Sequence, residues 1–284
     1  MSESRKSALA CITMDVEPDF VSYAVEPNSP RFYGLFDTPG CFERFCDLIA
    51  RHEVKLTCYV VGSVLHDRGN HIRELVKIGA EFGCHSLTHD LNAQETEREI
   101  RGGIDSFAEF FGYLPQGYRA PFFKVKRVIL ETLERKGILY DSSFMPSIRP
   151  GIYWSLNGQT KPFRWQGLSL VELPLAVVPQ VRLPIALSYM KVLGKKPYSM
   201  LRRLFGFPDP LVTFFHPMNL VYASIAFNKL PMRWKLANSR NRWKGLEILE
   251  EFFMFLQQAG YRFGYMSEVY EQLLSAPLPI ESLP

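Results

Sequence analysis

A chain of 284 residues, 47% of them apolar and 22% charged, can bury a full core and is about the size of one α/β barrel. Its five cysteines (Cys11, Cys41, Cys46, Cys58, Cys84) are odd in number and form no Cys-x-x-Cys pair, which fits reduced, mostly buried thiols better than a secreted disulfide framework. The formal charge of +4 is lopsided: between Leu173 and Leu246 twelve Lys/Arg stand against one acid, Asp209, and such a region asks for an anionic partner.

The segment Ala8–Met14 is too short for a signal-peptide core and is followed by acids, so no export is expected. No run of about 18 charge-free apolar residues occurs, so no membrane-spanning helix is expected either. Ala8–Met14 is continuously apolar and stops at Asp15, the pattern of a buried parallel strand. Asp15, Glu17 and Asp19 then alternate, face one way if the chain stays extended, and Pro18 keeps Glu17 out of helical geometry. Phe20 to Pro39 reads as a long loop over the mouth of the domain, and a helix starts near Thr38-Pro39 with Phe42, Phe45, Leu48 and Ile49 on one stripe.

Lys55–Val61 is a second strand, Ile72–Ile78 a helix and Glu81–Cys84 a third strand. In His85-Ser86-Leu87-Thr88-His89 two histidines lie four residues apart. On a helical turn both imidazoles would leave one face, as metal ligands do, although the same spacing also occurs on solvated helix faces. Cys84 would point the other way, into the core. Gln94–Phe111 and Val125–Lys136 read as helices, the second closed by Gly137, with Arg119-Ala120-Pro121 at a strand end between them. Asp141 and Glu172 end further strands, Leu211–Phe215 runs into His216-Pro217, and Leu246–Gln258 and Tyr261–Met266 read as the last helix and strand.

Between the sixth and seventh strands, residues 176–210 form an insertion. It holds two basic amphipathic stretches, Ile185–Leu193 and Tyr198–Phe205, divided at Pro197 and suited either to a membrane headgroup region or to packing on the barrel wall or a partner subunit. A second basic stretch, Phe227–Trp243, interleaves Trp234 and Trp243 with Lys and Arg. Strand and helix alternate without internal repeat, which predicts a single domain over 1–284 with a parallel-stranded α/β barrel. Asp15, Glu17, His85, His89, Arg119, Asp141 and His216 all fall at or just after strand C-termini, which converge on one face of such a barrel.

With these motifs in this order (Asp15-Val-Glu17, His85-Ser-x-x-His89, Arg119-Ala-Pro121, Asp141, and a strand ending in His216), the chain resembles the polysaccharide deacetylase superfamily, the NodB-like carbohydrate esterase family 4. The resemblance runs from about Leu9 to Met266. It implies a distorted (β/α)7 barrel, a divalent metal, usually zinc (Zn2+), and hydrolysis of an N-acyl group on an amino sugar. Two motifs depart from the usual pattern: Val16 separates the two acids, and Phe122-Phe123 replaces the glycine that usually follows Arg-x-Pro. The residues then fit one mechanism. Glu17, or Asp19 in its place, with His85 and His89 would hold the metal. Asp15 would take a proton from water, kept ionised by Arg119, and His216 would protonate the departing amine. A backbone N–H near Phe122 would meet the oxyanion, Phe122 and Phe123 would lie against substrate, and Asp141 would either cap a turn with Ser142 and Ser143 or, in competition with Glu172, tune His216 from the substrate side.

The absent export signal, the basic region and the amphipathic helices favour a polyprenyl-phosphate-linked amino sugar at the cytoplasmic membrane face, with peripheral contact to anionic lipid and room for a homo-oligomer. A soluble hydrolase of cyclic imides or ureides, like the allantoinase-type members, and a non-catalytic carbohydrate-binding relative are the alternatives. Nucleic acid is not expected, since no recognised nucleic-acid motif accompanies the charge.

Overall fold

The computed structural model describes residues 7–20, 22, 31–89, 96–149, 153–221, 224–232, 235 and 239–284. Its central strand is the first apolar run, Ala8–Val16 (β1), followed by Leu56–Val60 (β2), Glu81–Cys84 (β3), Gly117–Tyr118 (β4) and Tyr140–Asp141 (β5). A hairpin, Ile148–Arg149 (β6) with Tyr153–Trp154 (β7), precedes Phe163–Trp165 (β8), Val171–Glu172 (β9), Leu211–Phe215 (β10), Tyr261–Phe263 (β11) and Ile280–Glu281 (β12). The sheet runs β10-β1-β2-β3-β4-β5-β9, parallel at every step, and continues through antiparallel β8 to β12. Beyond β9 the Ala176 N–H donates to the Val212 carbonyl at 2.8 Å, so the far edge of the sheet meets β10 and the sheet curls into a distorted seven-stranded barrel.

Alternation along β1 sets the two faces. Leu9 and Cys11 point into the barrel with Tyr59, Tyr140, Val171 and Phe214, while Ala10, Ile12, Met14 and Val16 pack outward against the helices. Both faces are buried, which is why β1, β2 and β10 are continuous apolar runs rather than alternating ones. The helix Cys41–Arg51 lays Phe42, Phe45, Leu48 and Ile49 on the outer face, starting just past the expected Thr38-Pro39. The helix Glu97–Phe111 is capped by Thr96, whose hydroxyl accepts the Glu99 N–H, and stops at Gly112 with φ of 80°. All five cysteines are free thiols; Cys11, Cys58 and Cys84 are buried, and burial pushes the Cys84 thiol up to about 12.

Two expectations change. The insertion helices are Leu187–Leu193 and Lys195–Phe205, and Gly194, not Pro197, divides them. Pro197 sits in the first turn of the second helix, where its missing N–H has no helical partner to lose. One face of the pair packs on the barrel through Leu187, Met190 and Tyr198; the other leaves Met200 and Leu204 57% and 65% exposed beside Lys196 and Arg203. Among the described residues no helix is long and apolar enough to cross a membrane. Trp234 lies outside the described residues.

Candidate metal and acid–base site

The last residues of β1 continue its alternation into the barrel mouth, so Thr13, Asp15 and Glu17 line the inside while Met14 and Val16 stay in the outer core. Neighbouring strand ends meet them there: β3 is followed by His85, β4 by Arg119 and β10 by His216. One ligand atom each from Glu17, His85 and His89 falls within 4.8 Å of the others, all three residues being buried. The Glu17 Oε2 lies 2.5 Å from His89 Nε2 and 3.4 Å from His85 Nε2. His85 Nδ1 lies 2.7 Å from the Arg119 carbonyl, a bond that puts a proton on Nδ1 and directs Nε2 inward, toward Glu17.

These imidazoles converge without the expected helical turn. Ser86 and His89 adopt left-handed backbone, φ 69° and 60°, and the 85–89 segment is a bend. The bend brings the two rings to 5.2 Å between centroids. The cost of two left-handed non-glycine residues is of the kind that concentrates at functional sites.

Asp15 and Arg119 form the second layer. The fully buried Arg119 guanidinium donates from Nη1 to Asp15 Oδ1 and to Thr13 Oγ1, both at 2.7 Å, and from Nε and Nη2 to the Ser142 carbonyl and hydroxyl, both at 2.9 Å. It also lies 4.1 Å over the Tyr59 ring. One carboxylate oxygen of Asp15 is thereby fixed, and Oδ2 is left buried without a hydrogen-bond partner among the described residues. A buried charged oxygen in that condition is costly unless something polar enters the site. His216 Nε2 stands 3.8 Å from this Oδ2 and 3.7 Å from Glu17 Oε1, and the His216 side chain keeps an opening to solvent.

The electrostatics of the two layers agree. Burial alone would raise the Glu17 carboxyl, but the charges of His89 and His216 and hydrogen bonds from His85 and His89 hold it well below its ordinary value. Burial works against a charged His85, and the bond to Glu17 with the charges of Asp15 and Glu17 outweighs it, raising that imidazole. Asp19 is excluded from the cluster: the chain turns after Pro18, the Asp19 N–H donates to the Phe32 carbonyl, and the carboxyl is buried against Gly34. Burial raises it to about 8, so it is neutral at pH 7 and a poor ligand.

Three further expectations are corrected. Asp141 and Glu172 do not reach His216. On β5 and β9 it is Tyr140 and Val171 that face the barrel interior, so the paired Asp141 and Glu172 face outward, fully buried beneath Trp165. There they organise the 142–144 loop: Glu172 Oε1 accepts the Ser143 and Phe144 N–H groups, and Asp141 accepts the Ser143 hydroxyl, which in turn accepts the Ala120 N–H. Their contribution reaches Arg119 through the 142–144 loop, from the outer side of the sheet. The partner of His216 is Asn219, whose Oδ1 accepts the His216 N–H at 2.9 Å and lies 3.2 Å from Nδ1. The signal was present in His216-Pro-Met-Asn219, a capping-box spacing with proline at the first helical position. Finally, Phe123 is core, packed in the barrel against Phe214 at 4.7 Å, whereas half-buried Phe122 lies at the mouth 4.9 Å from His89. Both take left-handed backbone, φ 56° and 57°. That conformation gives the physical reason why glycine is the usual residue after Arg-x-Pro.

Comparison with known proteins bears on this geometry. The polysaccharide deacetylase family model matches residues 25–140. A peptidoglycan deacetylase of Helicobacter pylori is 24% identical over 190 residues, 62% of this chain and 63% of that protein. Residues 25–140 are thus similar to the polysaccharide deacetylase family, and the whole chain is similar in fold to a solved relative. A chitooligosaccharide deacetylase of Sinorhizobium fredii is 34% identical over 80 residues, 26% of this chain and 37% of that protein, so the chain spans less than two thirds of either relative. The polysaccharide deacetylase fold is met again in a candidate polysaccharide deacetylase from Mycobacterium smegmatis, TM-score 0.65 at 20% identity, covering 100% of this chain and 96% of that one. A family pseudoenzyme from Bacillus anthracis superposes with TM-score 0.54 at 12% identity over 98% of this chain and 70% of its own. The polysaccharide deacetylase barrel therefore does not decide activity by itself; the side chains at its mouth must.

Proposed function

We propose that this chain is a divalent-metal-dependent amidohydrolase that removes an N-acyl group, acetyl or formyl, from an amino sugar. The observation that carries the reading is the convergence of Glu17, His85 and His89 beside the partnerless Asp15 Oδ2 and His216. The donor set fits a divalent ion: two imidazoles, one oriented by a backbone carbonyl, and a carboxylate held ionised, all buried and leaving open positions. Zinc is the ion we assign, because two histidines and a glutamate with an open position are a donor set of catalytic zinc sites. When bound, such an ion polarises the acyl carbonyl and acidifies a water molecule.

The chain's own residues supply the proton transfers. Asp15 Oδ2 accepts the proton of the attacking water as its oxygen bonds to the acyl carbon, and Arg119 holds Oδ1 so that the carboxylate does not rotate away. His216, oriented by Asn219, gives a proton to the sugar nitrogen as the C–N bond breaks, because an unprotonated amine is a very poor leaving group. The products are a carboxylic acid and a free amino sugar.

A finer reading concerns where the sugar is held. The lopsided basic region and the exposed face of Lys195–Phe205, with Trp243 63% exposed beside Lys244, support a polyprenyl-phosphate-linked or similarly phosphorylated substrate at the cytoplasmic membrane face. Flotation with anionic vesicles at physiological salt should carry the protein upward, and failure to float removes the lipid-linked part alone. For the chemistry, release of primary amine from N-acetylglucosamine oligomers should stop on chelation and return with added zinc. His85→Ala should lose both the metal, by atomic absorption, and turnover. Amine release that survives chelation would overturn the metal-dependent reading.

A further inference from the structure

The loop that grips Arg119 has a second side. Ser142 bonds the guanidinium, and two residues later, within about 7 Å of chain, the Phe144 ring faces a cavity of about 300 Å³ at the outer edge of the sheet. That volume is at the lower end of what small-ligand sites use. Its floor is aromatic: Phe144 and Trp165 meet edge-on at 5.9 Å. Its wall is the Trp154 indole on β7, 74% exposed, and its polar rim includes Asn157, Gln159 and Glu281. Among the described residues no Lys or Arg lines it, although the chain carries net positive charge.

The cavity is built by the chain around it. Gly158 lies so close to the Phe144 ring that any Cβ there would overlap it, so only glycine lets the 155–159 segment seat on the floor. Its carbonyl is anchored by Arg182 Nη1 at 2.9 Å. The floor is also wired to the catalytic face: Trp165 Nε1 donates to Glu172, Glu172 holds the Ser143 and Phe144 N–H groups, and Ser142 holds Arg119 on Asp15. A flat, open indole beside amides and a carboxylate, with no cation, is complementary to an uncharged pyranose. The apolar C–H face of such a ring stacks on the aromatic, and its hydroxyls bond to the amide and carboxylate oxygens.

We propose that this cavity is a saccharide subsite that takes a neutral hexose or N-acetylhexosamine ring of the same glycan whose amide is cleaved at the barrel mouth. The inference rests on the proposed hydrolysis of an amino-sugar glycan, and direct binding measurements separate the two. Calorimetric titration of the purified full chain with N-acetylglucosamine pentamer should give binding that Trp154→Ala weakens by about 3- to 10-fold. Trp154→Phe should recover part of the loss. In steady state the KM for the pentamer should rise by the same factor in Trp154→Ala, with kcat and the constants for the dimer unchanged. Pentamer binding that is absent in wild type, or indifferent to Trp154→Ala in a variant that melts like wild type, overturns the subsite. Trp154-dependent binding without amine release would keep the subsite and sink the hydrolase, and amine release without Trp154 dependence would do the reverse.

Discussion

Two groups of buried carboxylates end strands in this barrel, and their surroundings push them in opposite directions. At the inner mouth, Glu17 is ringed by His85, His89 and His216 and is held well below the ordinary carboxylate range. On the outer side of β5 and β9, Asp141 and Glu172 face each other with hydrogen-bonding neighbours but little cationic help; burial raises Asp141 to about 6, and burial and the Asp141 charge raise Glu172 further. Depth is the same in both places, since all of these residues are buried. The sign is set by the cations within reach, which leaves one group ionised, as a candidate metal ligand must be, and the other a protonated structural brace.

The sharpest way to break the comparison is to take cations from the inner group. His216→Ala should lower kcat by about 10²- to 10⁴-fold, with metal content by atomic absorption near wild type, because His216 lies apart from the three-residue ligand cluster. Loss of metal in that variant would move His216 from proton donor to ligand. Next in size, Arg119→Met leaves Asp15 buried and unpaired and should lower stability by about 3–5 kcal/mol in urea unfolding. Adding Asp15→Asn should restore part of it. A single variant as stable as wild type would mean that the 2.7 Å pair contributes nothing that the rest of the network cannot replace.

What could be read from the sequence follows the same division. β1, β2 and β10 were legible because runs of five or more residues, apolar apart from one threonine in each, stop at Asp15, Gly62 and His216, and the inner acids inherit their facing from the first of these runs. β4, β5 and β9 are two residues each, too short to display alternation, so nothing in Tyr140-Asp141 or Val171-Glu172 says which side chain points inward. That is why Asp141 and Glu172 were assigned to the wrong face. The His85–His89 spacing was legible as chemistry and misleading as conformation, since a bend through left-handed Ser86 gathers the same rings that a helical turn would. The β6–β7 hairpin and its exposed Trp154 left no signal beyond a run of Pro, Gly and aromatic residues.

The two groups also predict opposite pH slopes in the metal-free protein. A depressed Glu17 contributes stability that is present above its unfolded value near 4.3 and is lost as pH falls through its lower folded value. The raised Asp141 and Glu172 bind their protons more tightly folded than unfolded, so they contribute below about 4, and that contribution drains away as pH rises through 6 and beyond. Glu172→Gln keeps the acceptor for Ser143 and Phe144 and removes one titrating partner. Thermal melts of this variant from pH 4 to 8 should therefore fall less steeply than those of wild type. Parallel curves would mean that the outer pair does not share its proton.

The smallest effect belongs to Phe122, where the inner mouth stores backbone rather than charge energy. Its φ of 56° and ψ of 19° lie in the left-handed region, which disfavours residues with a Cβ by about 1–2 kcal/mol, and its ring rests 4.9 Å from His89. Phe122→Gly should relieve the first term while losing the ring contact and about 0.5–1 kcal/mol of unfolded-state entropy. The net expected gain is below about 1 kcal/mol, a rise in melting temperature of a few degrees or less. Turnover should suffer more than stability, because no ring then rests against a candidate metal ligand. A melting temperature that drops by many degrees would show that the ring, rather than the turn, is what positions His89, and would recast the phenylalanine as a support for the ligand rather than a strained substitute for glycine.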